Sequence, residues 1–190
     1  MNQPFICDQT FEKQNYTQKL LPKGEYDNCQ FIDCDFSEVF LSSTSFMECE
    51  FINCNLSSAK VKGVMFKDVS FVECKLLGVL FQECNPFLFS ISAKHSNFSY
   101  ASFYAMKLTS MTFESCNLDH VDFTNANASK VKFIECSLSH AIFKNTNLEK
   151  TDLQTATNFS IQPEQNNIKQ AKFSTMGALL LLNHYQITIE

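Results

Sequence analysis

The chain has 190 residues, a formal net charge of -5 and 45% apolar residues, so one hydrophobic core can account for it without a second domain. None of its fifteen basic residues is arginine, which argues against sequence-specific DNA binding, because arginine is the commonest reader of guanine. The first residues lack the basic and apolar regions of a signal peptide, and the longest aliphatic run, Ala178 to Leu182, is too short to span a membrane. These features predict a soluble cytoplasmic protein with no membrane partner.

Residues 1–24 carry large apolar side chains at every fifth position, namely Phe11, Tyr16 and Leu21. The residues two positions before these are long and polar, namely Gln9, Gln14 and Lys19. Further along the chain the same positions are small. Repeat proteins need an atypical terminal unit to cover an open end, so residues 1–24 are predicted to form a capping coil.

Residues 25–174 repeat the five-residue spacing without the polar substitutions. Large apolar residues occupy the centre of each unit as far as Phe81, and a small or medium residue lies two positions before each centre. Neither the helix period of 3.6 nor the strand period of 2 produces this spacing. Because positions two apart in an extended segment face the same way, each unit should turn one large and one small side chain inward.

The register slips by two residues near 82–88 and then resumes. The new centres continue the pattern to the end of the repeat region. They are Leu88, Ala93, Phe98, Phe103, Leu108, Phe113, Leu118, Phe123, Ala128, Phe133, Leu138, Phe143, Leu148, Leu153, Ile168 and Phe173.

Several units show one motif: a small residue, Asp or Asn, then Leu or Phe, then two polar residues. Clear examples are Cys34-Asp35-Phe36-Ser37-Glu38 and Thr146-Asn147-Leu148-Glu149-Lys150. In this the chain resembles the pentapeptide-repeat family over roughly residues 25 to 175. The resemblance implies an all-β fold, a right-handed quadrilateral β-helix with one unit per side and about twenty residues per coil, stacked at the strand spacing.

Cysteine and histidine offer little chemistry in this pattern. Eight of the nine cysteines occupy the small inward position, which favours buried, reduced thiols over a disulfide or metal role. His120 and His140, twenty residues apart, should stack on one outer edge, either as solvated corner residues or as a pH-sensitive or metal-binding pair. No nucleophile motif or phosphate-binding loop is found. We therefore expect no enzyme activity, no catalytic or metal site, no cofactor and no small-molecule substrate.

The stretch from Gly24 to Ala59 has seven acidic residues and no lysine. Such a cluster could imitate a nucleic-acid backbone or steer a basic partner, and it could equally be a solvated surface that keeps the repeats soluble. The candidate partner surface consists of Glu25, Asp27, Asp33, Asp35, Glu38, Glu48 and Glu50.

Residues 175–190 end the repeat. A short helix is predicted from near Thr175, followed by an extended piece from Gln186 to Glu190. This segment resembles the carboxyl-terminal dimerisation segment of Qnr-type pentapeptide-repeat proteins, which protect type II topoisomerases from quinolones. The resemblance implies a homodimer and a DNA-mimicking binder of DNA gyrase or topoisomerase IV that does not itself bind nucleic acid. The alternative is a scaffold or interaction solenoid with another protein partner. The predicted dimer interface consists of Leu179, Leu180, Leu181, Leu182, Tyr185, Ile187 and Ile189.

Overall fold

A computed structural model describes residues 4–185 and 187–188. The chain winds into a solenoid with four sides, and every strand pairing in it is parallel. The predicted all-β β-helix of twenty-residue coils is confirmed, as is the single short helix after it.

Side one is a continuous sheet of nine short strands that runs the length of the solenoid. Its strands are β2 (Thr10–Glu12), β4 (Gln30–Ile32), β6 (Glu50–Ile52), β8 (Val69–Val72), β9 (Ile91–Lys94), β10 (Thr112–Glu114), β11 (Lys132–Ile134), β12 (Asp152–Leu153) and β13 (Lys172–Phe173). Nine rungs at the strand spacing give a rod about 38 Å long.

The other three sides are less regular. Side four has a four-stranded sheet of β1 (Phe5–Cys7), β3 (Glu25–Asp27), β5 (Ser45–Met47) and β7 (Met65–Lys67), and single bridges from Lys107 onward. Sides two and three consist of single parallel bridges, such as Asp35 to Asn55 on side two and Phe40 to Lys60 on side three. Each coil therefore visits side one, two, three and four in turn.

Columns of aromatic rings fill the interior. Phe31 and Phe51 pair across β4 and β6, and their ring centroids are 4.8 Å apart in a stacked arrangement. Phe46 of the neighbouring side meets Phe51 edge to face at 5.3 Å. Each fully buried Phe contributes roughly 1.5 to 3 kcal/mol to folding, so these columns are the main source of stability.

The corners lie two residues after each centre and have left-handed backbone. Among the described residues, twenty-six residues other than glycine have positive φ, and Gly63 and Gly78 are the two glycines that do. None of the twenty-six is Val, Ile or Thr, since a β-branched side chain is the most strained in this region.

The Asp or Asn of the motif supports the turn into each corner. Asp35 Oδ1 accepts a hydrogen bond from the Ser37 backbone N–H at 2.9 Å, and Asn117 does the same for Asp119. The turn then closes with a backbone bond such as Val39 N–H to Phe36 O at 3.1 Å. This local bonding explains why Asp and Asn recur before the centre.

The two-residue insertion interrupts side four. Register on side one changes from twenty residues, as in Phe51 to Phe71, to twenty-two, as in Phe71 to Ala93. The prediction that Leu88 is an inward centre is wrong: Leu88 is 55% exposed with φ of +54°, and Phe89 is buried instead. The extra residues form a turn, so the inward position shifts by one residue there.

The carboxyl end closes the last coil. Helix α1 (Thr175–Leu180) begins after Ser174, whose side chain accepts a hydrogen bond from Gly177 N–H at 3.0 Å. Leu180 and Leu181 pack against the core. Ile187 and Thr188 belong to no strand, and the rest of the predicted terminal strand lies outside the described residues.

Candidate partner-binding surface

Aromatic columns fill the solenoid interior, and two clefts lie on its outer surface. One of about 480 Å³ lies on the edge between sides two and three, lined by residues that include Leu20, Asp35, Glu38 and Phe40. A second cleft, of about 330 Å³, lies beside the insertion, and its lining includes Lys67, Pro86 and Lys107. Sequence reasoning missed both, because each depends on which outward residues neighbour one another across a corner.

The seven acidic residues from the Gly24 to Ala59 stretch wrap around the first coils and do not share one side. Side four carries Glu25 and Asp27, side one carries Glu50, and side two carries Asp35. The other three lie at corners. They are Asp33, Glu38 and Glu48.

Among the described residues, no lysine lies within ion-pair distance of the acidic belt that these seven residues form. Within the described residues, the ion pairs involve Glu114, Glu149 and Glu164, all in later coils. Two of the acidic side chains instead accept hydrogen bonds from neutral amides, Glu50 from Gln30 at 3.1 Å and Asp33 from Asn53 at 2.7 Å. Within the described residues, the belt therefore has seven carboxylates and no ion-pair partner for any of them.

An exposed aromatic ladder follows the corner between sides two and three. Tyr100 stacks on His120 with centroids 4.6 Å apart, and His120 on His140 at 4.7 Å, which confirms the predicted stacking of the two histidines. In the part of the chain that the structure describes, no three His, Cys, Asp or Glu side chains are grouped to hold a metal ion.

Eight cysteines are buried and unpaired, as predicted, and Cys7 is exposed. The thiol of Cys54 lies 3.2 Å from the Phe31 carbonyl oxygen of the preceding coil, and Thr146 Oγ1 donates to Phe123 O at 2.9 Å from the equivalent position. Burial raises the pKa of the Cys49 thiol to about 12. The buried thiols are packing groups with weak hydrogen bonds, and at Cys49 the raised pKa removes the thiolate that nucleophilic chemistry needs.

The predicted dimer residues divide into two groups. Leu179 to Leu182 are half-buried, with Leu180 and Leu181 directed to the core, whereas Tyr185 and Ile187 are 51% and 55% exposed. Ile189 lies outside the described residues. Sequence reasoning missed Met176, which is 72% exposed on α1. The exposure of Met176 depends on the orientation of α1 against the last coil, which the sequence does not give.

The last turn is tied back to the solenoid through Glu164. His184 Nε2 lies 3.3 Å from Glu164 Oε2, and the Tyr185 hydroxyl donates to the same carboxylate. This carboxylate belongs to a short 3-10 helix, Pro163–Gln165, that interrupts the repeat before the end. Along the described part of the chain, no helix has the length and apolar character needed to cross a membrane.

Two family models match the chain. One is described as a pentapeptide repeat region and matches residues 88–173, and the other is described as pentapeptide repeats in eight copies and matches residues 27–63. Together they account for more than half of the sequence. None of the curated proteins matches it.

Solved structures with a similar fold include QnrB1, described as a plasmid-mediated fluoroquinolone resistance protein. A trypsin-treated variant of QnrB1 is 19% identical, with 98% of this chain and 100% of that chain covered and a TM-score of 0.50. Full-length QnrB1 is 20% identical, with 97% and 100% covered and a TM-score of 0.38. HetL, a pentapeptide repeat protein from the cyanobacterium Nostoc sp. strain PCC 7120 involved in heterocyst differentiation regulation, is 15% identical, with 88% and 86% covered and a TM-score of 0.39. At these identities the likeness is one of fold.

Proposed function

We propose, since the chain belongs to the pentapeptide-repeat family, that it is a non-enzymatic rod that binds a type II topoisomerase by imitating the charge of duplex DNA. DNA gyrase and topoisomerase IV are the candidate partners. The observation that carries the proposal is the acidic belt, which no lysine in the described residues neutralises.

The charge density of the belt matches that of DNA. The stretch from Gly24 to Ala59 is just under two coils, or about 10 Å of rod at the strand spacing. It carries seven acidic residues and no basic one. Duplex DNA carries one charge per about 1.7 Å of axis, hence about six in the same length. A basic protein surface that binds DNA would therefore find a similar density of negative charge on these coils.

Protection from quinolones is the activity we propose for this complex, because the structurally similar QnrB1 is described as a fluoroquinolone resistance protein. The test is a gyrase supercoiling assay with a fluoroquinolone and micromolar amounts of this protein. We expect either recovery of supercoiling or, without drug, inhibition by competition with DNA. A variant with all seven acidic residues of the belt changed to Asn or Gln is the control. No effect of the native protein on either reaction would contradict the proposal.

We also propose that the protein is a homodimer joined through its carboxyl-terminal segment. Exposed apolar side chains at Met176, Tyr185 and Ile187 would be covered by the same surface of a second copy. Changing Met176 and Ile187 to Lys should give a folded monomer by light scattering and circular dichroism. Leu181 is less suitable, because it packs against the core. An unchanged dimer mass, or a monomeric native protein, would contradict this interface.

Charge distribution also supports a second candidate, a scaffold for a different protein. Residues 60–113 have a net charge of +3, with six lysines against three acidic residues, so the middle of the rod does not resemble DNA. A defined complex with a protein other than a topoisomerase, together with no effect on gyrase, would favour this candidate.

A further inference from the structure

Side three and the corner that leads into it carry half of the exposed large apolar side chains among the described residues. Four outward apolar side chains of side three lie in one column, in which Lys60 separates Phe40 from Leu80, and Ser102 and Asp122 separate Leu80 from Ile142. A fifth apolar side chain lies beside that column, and a sixth occupies the corner that leads into it. Every other exposed large apolar side chain in the described residues lies near a chain end or in the insertion. The six are Leu20, Phe40, Leu80, Ile142, Tyr104 and Tyr100.

Phe40 has no evident role in the fold, unlike Tyr100, which stacks on His120, and Tyr104, whose hydroxyl accepts a hydrogen bond from Asn125 at 3.1 Å. On side two the equivalent outward positions hold residues such as Asn15, Asp35 and Asn55, whose side chains accept backbone hydrogen bonds and support the turn. Phe40 cannot form that bond, and at 74% exposure it contributes little packing. Leu20 and Phe40 share one groove, and exposed apolar side chains grouped in this way on a polar rod are typical of a contact surface.

The groove beside Leu20 and Phe40 combines apolar and acidic groups. The cleft of about 480 Å³ is lined by Leu20 and Phe40 from side three and by Asp35 and Glu38 from side two and its corner. Asp35 Oδ1 accepts from the Ser37 backbone N–H and hydroxyl, at 2.9 and 2.7 Å. Among the described residues, neither carboxylate has a lysine or histidine partner within ion-pair distance.

This combination selects the chemistry of the occupant. An aliphatic or aromatic side chain would fill the gap between Leu20 and Phe40, and a lysine or arginine next to it would meet the two carboxylates. A nucleic acid would be repelled by the carboxylates, and a purely acidic segment would be too. The occupant that fits is a protein segment that carries an apolar residue beside a basic one.

We propose that side three is the surface through which this protein contacts its topoisomerase, and that the groove between Leu20, Phe40, Asp35 and Glu38 holds an apolar and basic segment of the enzyme. The inference rests on the proposed function. It adds which of the four sides makes the contact, since the acidic belt alone surrounds the rod and selects none of them.

The test measures the affinity of purified gyrase for immobilised full-length protein. Phe40→Ser should weaken binding at least about tenfold, the effect of losing a central apolar contact. A double change, Asp35→Asn with Glu38→Gln, should weaken binding several-fold and reduce its dependence on salt. Asn at position 35 retains the turn, as Asn55 does one coil later. Unchanged circular dichroism and melting temperature would show that each variant is folded.

Two control variants make the same chemical changes away from side three. Phe87→Ser removes a phenylalanine that is 64% exposed in the insertion. Glu12→Gln with Glu73→Gln removes two charges from side one and the corner beside it. Both controls should bind within about twofold of the native protein, which is within the usual effect of a change outside a contact.

The outcomes separate the two proposals. If the native protein does not bind gyrase or topoisomerase IV, the proposed function fails, and the assignment of side three fails with it. If the native protein binds and Phe40→Ser binds equally well, the proposed function stands and side three is excluded as the contact. Equal weakening by Phe87→Ser would also overturn the assignment, because it would move the contact to the insertion.

Discussion

Phe51→Ala should test most severely whether the aromatic columns hold the solenoid together. The Phe51 ring is fully buried between Phe31 and Phe71, with centroid distances of 4.8 and 5.2 Å. It also meets Phe36 and Phe46 edge to face at 5.7 and 5.3 Å. Removing it opens a cavity in contact with three successive coils, and the rigid β-helix backbone has little freedom to collapse into that space.

The expected loss follows from this geometry. Truncation of a buried Phe to Ala costs about 3 to 5 kcal/mol, and each lost aromatic pair adds about 0.5 to 1.5 kcal/mol beyond area burial. With four ring neighbours, we expect the upper end of the first range, about 4 to 5 kcal/mol. Since small domains have about 5 to 15 kcal/mol in total, the variant should be close to unfolding.

The assay is urea denaturation followed by circular dichroism, with Phe40→Ala as the matched control. Phe40 makes the same chemical change at a position 74% exposed, and it should cost no more than about 0.5 kcal/mol. A loss below about 1.5 kcal/mol for Phe51→Ala would refute the reasoning, as would equal losses for the two variants.

Three further predictions concern thiols, pH and corners. With an aromatic disulfide reagent at pH 8, Cys7 should react at once and the eight buried thiols only after denaturation; rapid reaction of several thiols would contradict the described packing. Burial raises the pKa of Cys49 and of Tyr26 to about 12, from 9.0 and 10.0, so the folded state holds these protons more tightly. Stability measured by denaturant titration should therefore be fully present below pH 9.0 and fall toward about pH 12, and a flat profile would argue against their burial. Ser110→Val places a β-branched residue at φ of +65° and should lower the free energy of unfolding by about 1 to 2 kcal/mol. Ser92→Val, at an exposed position of β9, should not lower it. Equal losses for the two variants would contradict the argument from backbone strain.

The five-residue period predicted the fold because its cause is local. Large residues such as Phe31 and small ones such as Cys34 alternate with corners in a fixed order, and neighbouring coils repeat that order. The interior columns follow directly from a separation of twenty residues. At the insertion this logic failed for Leu88, because an irregular turn leaves open which of two adjacent apolar residues points inward, and Phe89 does.

Surface features were harder to predict from sequence. The acidic residues from Glu25 to Glu50 are evident in the sequence as a run. A run does not show whether its residues share one side of the solenoid, and in the structure these residues lie on three sides and at corners. Leu20 and Phe40 are twenty residues apart, and neither occupies an inward position of the repeat. Their shared groove with Glu38 depends on the corner geometry that brings sides two and three together.

Competition with DNA tests the central claim most directly. Fluorescently labelled protein bound to gyrase should be displaced by unlabelled linear duplex DNA, and its affinity should fall as salt rises, because both ligands would use the same basic surface. A stable ternary complex of gyrase, DNA and this protein, with binding indifferent to salt, would contradict the account of a DNA-mimicking rod.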